Sequence, residues 1–291
     1  MTRPYVVSED IYLLLKYWAN ANSFVLPQPV FFRFLREEFK LFMLQIFEGF
    51  ESIPEEELVV GLKDLVDKSG LISVSLDKVY YRSGLALELT RLIDDKIEDI
   101  GQGRRARALS LHEQFEKLRN SQLDKIVLVD DVIFSGELLE KVCRLILRMN
   151  IQIPLICTGV GIREGVDKLI RNIGSRVYCV RYYNKVIDEI CERDFYPGVP
   201  FCGRSLVGEE NIGAPYIYPF GNPCDWASIP KEQQIPFSKF CIEQSIKLFQ
   251  EIERSSGKIV RCSDLDRKVI LLPQDDTRFV DALQKILKDR F

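Results

Sequence analysis

The segment KIVLVDDVIFSGELLEKV, Lys125 to Val142, decides how the rest of the chain is read. After Lys125 it is a short apolar run that stops at two acids, the pattern of a buried strand with Asp130 and Asp131 at its carboxyl end. In open α/β sheets that edge is where ligands bind. VIFSG follows, with one small hydroxyl residue and one glycine, and a helix is expected to begin directly after it. The free N–H groups and the dipole at a helix N-terminus attract an anion such as a phosphate. Two carboxylates nearby can accept hydrogen bonds from a sugar diol or hold a hydrated Mg2+. A phosphate at one end and a diol close by describe a ribose 5-phosphate.

Outward from this segment, strand and helix patterns alternate. Upstream, KVYY (78–81) is expected as a short strand, and RSGLALELTRLIDD as a turn leading into a helix. GQGRRARALS (101–110) is expected as a glycine- and arginine-rich loop between helical stretches. Downstream, IPLICTGVGI and SRVYCVRYY are two further buried-looking strands. This alternation predicts an α/β fold with a largely parallel sheet. From Ser8 to Gly70 the pattern is helical: IYLLLKYW behind a cap at Ser8 and Asp10, then VFFRFLREEFKLFMLQIFEGF, then EEELVVGLKDLVDKSG between Pro54 and Gly70. Beyond Asp194 the chain is rich in Pro, Gly and aromatics, and helices are expected at Ser238–Arg254 and Asp276–Leu287. Three regions follow: an N-terminal helical layer (1–70), the α/β core (71–193), and a C-terminal loop-rich cover with helices (194–291).

Composition narrows the function. With 291 residues and 46% of them hydrophobic, the chain can bury a core without staples. A net charge of -3 provides no global field for nucleic acid. The eight cysteines form no CxxC pair and the single histidine, His112, cannot complete a zinc cluster, so reduced, mostly buried thiols are expected. No signal-peptide pattern is read at the N-terminus, and a reducing cytoplasm is the expected setting. Phe39 to Phe50, the longest apolar stretch, contains Lys40 and is too short to span a bilayer, so no membrane role is expected.

The Lys125–Val142 segment resembles the phosphoribosyl-pyrophosphate signature of type I phosphoribosyltransferases: an apolar strand, two acids, two apolar residues, and a hydroxyl- and glycine-rich turn. The resemblance implies a phosphoribosyltransferase-like core. In it Asp130 and Asp131 serve catalysis at the ribose hydroxyls and hold Mg2+ through water, while Ile133, Phe134, Ser135, Gly136, Glu137 and Leu138 wrap the 5-phosphate. Phe134 and Leu138 stand where that family usually has hydroxyl residues, and Glu137 sets a negative charge on the phosphate-binding turn. KVYYRSGLALELTRL resembles the family's pyrophosphate loop, here Arg82, Ser83 and Gly84 with Ala86 as the small residue. A cation beside a glycine-permitted turn can clasp a diphosphate. GQGRRARALS occupies the place of the family's mobile loop, where Arg104, Arg105 and Arg107 either meet a departing pyrophosphate or form a solvated surface.

RDFYPGVPFCGRS, APYIYPF and DWASIP resemble the PRTase-CE group, phosphoribosyltransferase-like proteins of bacterial conflict and anti-phage loci. Some of that group accompany a reverse transcriptase, its nucleic acid and a winged-helix protein in retron systems. The resemblance implies that Asp194, Gly203 and Arg204 lie in the cover and contact a base or a partner. Tyr216, Tyr218 and Trp226 are expected to pack rather than stack on a base, and His112 has no role. The reading favoured is an effector acting at the anomeric carbon of phosphoribosyl pyrophosphate or a related nucleotide. A non-catalytic nucleotide sensor and a helical interaction subunit are the alternatives. No residue names the acceptor.

Overall fold

The computed structural model describes residues 3–208 and 210–291. The chain opens with β1 (Tyr5–Ser8), α1 (Ile11–Asn22), α2 (Pro29–Ile46), β2 (Phe50–Ile53), α3 (Glu55–Ser69) and β3 (Ile72–Ser75). Then come β4 (Leu85–Ala86), β5 (Leu89–Ile93), β6 (Asp99–Arg104), α4 (Leu111–Asn120), β7 (Lys125–Ile133) and α5 (Glu137–Leu147). These are followed by β8 (Gln152–Ile162), α6 (Arg163–Ile173), β9 (Arg176–Tyr183), β10 (Glu189–Cys191), β11 (Arg204–Leu206) and β12 (Ile212–Ala214). Last are α7 (Pro223–Ala227), α8 (Gln234–Ser256), β13 (Lys268–Val269) and α9 (Phe279–Arg290).

Two interleaved units divide the chain. A parallel-sheet unit takes Ile53–Thr90 and Gln102–Val186; a composite unit takes Met1–Ser52, Arg91–Gly101 and Ile187–Phe291.

The parallel-sheet unit is an α/β layer structure. Its sheet runs β4-β3-β7-β8-β9, all parallel. One face is closed by α4, α5 and α6, where Leu118, Leu139, Val142, Cys143, Ile146, Val166 and Leu169 meet Ile126, Leu128 and Ile156. Each large apolar side chain fully buried there contributes about 1.5–3 kcal/mol. The other face carries α3: Leu62 lies with Val129, and Gly61 sits against Val180. As expected, α3 starts after Pro54 with Glu55, Glu56 and Glu57 in its first turn and stops at Gly70. The strand order reverses between β3 and β7: the chain leaves β3 for β4 on one side, then returns to the other side for β7, β8 and β9. Such a switch point opens a crevice beyond the carboxyl ends of the two flanking strands.

In the composite unit, β10-β1-β2 form one sheet, and β13, β12 and β11 with Leu92 and Ile93 of β5 form another. Its core is aromatic, with Phe195 edge-on to Phe237 and Phe249 edge-on to Phe279. The expected cap of α1 is replaced. Ser8 donates to Glu189 instead, while the buried Glu192 accepts from the N–H groups of Asp10 and Ile11 at 3.2 and 3.4 Å and is held by Arg36 at 3.0 Å. A carboxylate from far along the chain thus satisfies the helix N-terminus.

Several local expectations are corrected. The strand before the Arg82 loop is Ile72–Ser75, not 78–81: Asp77 Oδ1 accepts from Val79 N–H at 2.5 Å and turns the chain there. The helix expected after Gly84 is absent, and Leu85–Ile93 forms β4 and β5. Leu87 and Leu89 are buried while Glu88 between them is not, a period of two that outweighs the helix propensity of Leu, Ala and Glu. Gly101 to Arg104 belong to β6 rather than to a loop, and α6 was not foreseen. The eight cysteines are free thiols, six of them buried. No helix among the described residues is long and apolar enough to cross a membrane.

Candidate functional site

β3 and β7 place three carboxylates at the switch point. The last β3–β7 register pair is Ser75 with Val129, closed by Leu76 N–H on Val129 O at 2.8 Å. Asp130 and Asp131 come next. They do not end the strand, as the sequence implied, because β7 stays paired with β8 as far as Ile133 and Gly161. They are instead the first residues of β7 left uncovered by β3. Asp77, just past the end of β3, joins them in a shallow cleft with Leu62, Tyr80 and Tyr81.

Charge crowding is the main property of this cleft. Burial pushes the Asp130 carboxyl well above the ordinary carboxylate range, and the charges of Asp131 and Asp77 push it further. Asp77 is 7% exposed and is paired with Arg105 at 2.8 Å. Asp131 Oδ1 accepts from Val132 N–H at 2.8 Å, and its carbonyl accepts from the buried Thr158 at 3.2 Å. Three carboxylates gathered beside Arg105 make a site that suits a cation or a hydroxyl-rich ligand. Oxygen donors of this kind suit Mg2+. Among the described residues no group of three or more His, Cys, Asp or Glu is arranged to hold a metal ion. Asp130 and Asp131 could therefore supply only part of a Mg2+ shell, the rest coming from water and phosphate oxygens.

The loop after β7 is held by backbone contact. Gly136 has φ 71, the left-handed region, and precedes α5. A Cβ on Gly165, in the first turn of α6, would lie 2.3 Å from Phe134 O and 2.9 Å from Gly136 N. Only glycine allows the two backbones to meet so closely. Phe134 is 40% exposed, and Ser135 Oγ accepts from Glu137 N–H at 3.4 Å. Ile133 is buried and Leu138 packs against the core. Glu137 and Glu140, both in the first turn of α5, lie 3.7 and 3.8 Å from Lys168 of α6. The acid that opposes a phosphate there thus has a cation beside it, which sequence reasoning missed.

The Arg82–Gly84 loop leads into the edge strand β4, so no helix dipole points at it. Arg82 is exposed and donates to Lys78 O at 3.2 Å; Ser83 hydrogen-bonds Ser73 and accepts from Leu85 N–H at 3.2 Å. Gly84 does not have a positive φ, so its turn does not require glycine. Beside the loop opens a cavity of about 190 Å³ lined by Lys78, Ser83, Gly84, Glu88, Gln114 and Lys117 among others. Arg104 donates to Ala108 O at 2.9 Å, and Arg107 is exposed. The ion pair of Arg105 with Asp77 reaches the carboxylate cluster.

Asp194, Gly203 and Arg204 belong to the composite unit and serve its interior. Asp194, its carboxyl pushed up by burial, accepts from Gly203 N–H at 2.8 Å. Arg204 is 4% exposed, pairs with Asp99 and lies 4.3 Å over the Trp226 ring. Arg267 threads beneath the same loop and donates to Gly203 O at 3.0 Å and Ser205 Oγ at 2.8 Å. Trp226 packs edge-on to Tyr216 and Tyr218 on Phe291, in line with packing roles.

Two further site residues escaped the sequence reading. Asp77 stands one residue before the stretch taken for strand, 78–81, and was given no role. Ser75, whose hydroxyl is fully buried without a hydrogen-bond partner, stands two residues before it. An orphaned hydroxyl costs about 1–3 kcal/mol, and such costs tend to collect at functional sites.

No protein-family model and no curated protein matches the chain. Among solved structures, an orotate phosphoribosyltransferase from Aeropyrum pernix is similar over 43% of this chain and 68% of that one, with 15% identity and a TM-score of 0.25.

Proposed function

We propose that the parallel-sheet unit binds a phosphorylated ribose, phosphoribosyl pyrophosphate or a related nucleotide, and acts at its anomeric carbon as a phosphoribosyltransferase. One observation carries the reading: Asp130, Asp131 and the Phe134–Leu138 turn lie on one strand-loop-helix at the switch point of a parallel sheet. In this reading Asp130 and Asp131 accept from the ribose hydroxyls, and the backbone N–H groups of the turn receive the 5-phosphate. The bond from C1 to the pyrophosphate oxygen breaks, a bond from C1 to the acceptor forms, and pyrophosphate leaves with its electron pair. Arg105, already beside the cluster, offsets charge on the leaving group. Mg2+, held through water by Asp130 and Asp131, supplies further charge neutralisation when bound.

A second reading, nucleotide sensing without turnover, is favoured by Phe134. It is an exposed apolar ring where a phosphate cradle gains most from a hydroxyl. The finer proposal, an effector of anti-phage defence working with a winged-helix protein and a reverse transcriptase, rests on the sequence likeness of the RDFYPGVPFCGRS, APYIYPF and DWASIP stretches.

Titration calorimetry with phosphoribosyl pyrophosphate and Mg2+ tests the core claim. Binding by the wild type and at least about a hundredfold loss in Asp130→Ala/Asp131→Ala is expected, since two charge-assisted contacts disappear. Binding that survives in the double variant, or no binding to either protein, removes the proposal. Product detected by mass spectrometry separates transfer from sensing.

A further inference from the structure

The cavity of about 190 Å³ beside the Arg82–Gly84 loop shares no lining residue with the carboxylate cleft. It lies where α4 meets Leu85–Glu88 at the edge of the parallel sheet. Gln114 of α4, buried, braces the two: its Oε1 accepts from Glu88 N–H at 2.6 Å, and its Nε2 donates to Leu109 O at 2.7 Å. The floor is apolar, with Val74, Leu87 and Leu118 buried and Leu85 and Leu109 completing it. Packed interiors leave few voids larger than a water molecule, and a cavity of roughly 150 Å³ already takes up benzene. Water held in a cavity needs about two to four polar partners, and this floor offers it none, so an apolar group displaces it readily.

We propose that this cavity binds a small carboxylic acid with an apolar body, the body against the leucine floor and the carboxylate on Lys117. The charges of the lining decide the sign. It carries Lys78, Lys117 and Glu88. Glu88 Oε1 lies 2.7 Å from Lys78 Nζ, so those two neutralise each other. Lys117 is exposed and enters no salt bridge among the described residues. The acid one turn before it, Glu113, is engaged by the Ser110 hydroxyl at 2.7 Å and the Ser110 N–H at 2.9 Å. One cation left over beside an apolar floor suits a ligand with one negative charge and few other polar atoms.

Other ligand classes fit less well. A nucleobase or a sugar would leave its polar edges unpaired against Val74, Leu87 and Leu118. A phosphate would need more donors than remain. The Ser83 hydroxyl donates to Ser73 O and accepts from Leu85 N–H at 3.2 Å, and Lys78 is taken by Glu88. This inference does not rest on the phosphoribose reading, and either can fail alone.

Methyl NMR of the full chain tests it with benzoate, benzamide and benzylamine as probes. In the wild type, benzoate is expected to shift the methyl resonances of Leu87 and Leu118 and to saturate with a Kd of about 1 mM or tighter. Benzamide has the same shape without the charge and should bind about tenfold more weakly. Lys117→Met keeps an apolar stem and should bring benzoate down to the level of benzamide. Lys117→Glu reverses the charge and should make benzylamine the preferred probe. Lys117 is exposed, and the methyls of Ile156, outside the lining, report that each variant folds. No shift with benzoate, equal binding of benzoate and benzamide by the wild type, benzoate binding undiminished in Lys117→Met, or a Lys117→Glu protein that still prefers benzoate each overturns the proposal.

Discussion

Asp130 is held where its charge is unfavourable. Burial and the charges of Asp131 and Asp77 raise its proton affinity, so the folded protein binds that proton more tightly than the unfolded chain. The stability it contributes is complete below the ordinary aspartate range, near pH ~4, and is lost as pH rises through the raised value. Asp130→Asn removes that loss. It is expected to raise stability by about 1 kcal/mol at neutral pH, with the gain vanishing toward acid pH, while ligand binding is abolished. Urea midpoints measured across pH check the first part and calorimetry the second; a variant no more stable than wild type at neutral pH contradicts it. At this scale the pair Asp130–Asp131 and the turn behind it were legible, because a hydrophobic run ending in two acids is a local pattern. Asp77 was not, because nothing in LDKVYY announces that Asp130 and Asp131, more than fifty residues along the chain, are its neighbours in space.

At the scale of elements, the Phe134–Gly136 turn is positioned by α6. Gly165 faces the turn so closely that any Cβ meets Phe134 O, and intrinsic propensity and packing therefore make opposite predictions for Gly165→Ala. Propensity favours alanine by about 1 kcal/mol in a helix. The clash is with backbone that cannot step aside, and overpacking of this kind costs about 1–3 kcal/mol. The variant is expected to be less stable than wild type and to bind phosphorylated ribose more weakly, read by thermal unfolding and calorimetry. A more stable variant would show that the turn can move. Elements with strong periodicity were legible: α2 buries Phe32, Leu35, Phe39 and Met43 as the three- and four-residue spacing predicts. LALELTRLI was misread because its residues favour helix individually while their alternation, which decided the outcome, favours strand.

At the scale of the whole molecule, the composite unit is closed by contacts between its two ends in sequence. Asp10 is buried against Arg193, whose N–H also donates to Asp10 Oδ1 at 2.9 Å, across 183 residues. Burial pushes the Asp10 carboxyl up to about 8 despite that partner, with Glu192 and Asp194 adding to the rise. Arg193→Met removes the guanidinium partner of the buried Asp10 carboxyl, leaving it the backbone N–H of residue 193, and is expected to cost about 3 kcal/mol. Asp10→Leu/Arg193→Met removes both charges and should recover most of that loss. Denaturant unfolding of the two variants decides it, and a double variant as weak as the single one would mean the pair stabilises more than its desolvation costs. The sequence by itself determined the α/β class, the helices with clear periodicity, the apolar strands β7, β8 and β9, and the acid pair with its turn, since each depends on neighbours within a few residues. Only the tertiary structure decided the strand order that creates the switch point, the arrival of Asp77 and Arg105 beside Asp130, the cap that Glu192 gives α1, and the interleaving of the two units. Those depend on which distant segments pack together, where burial and charge pairing override local preference.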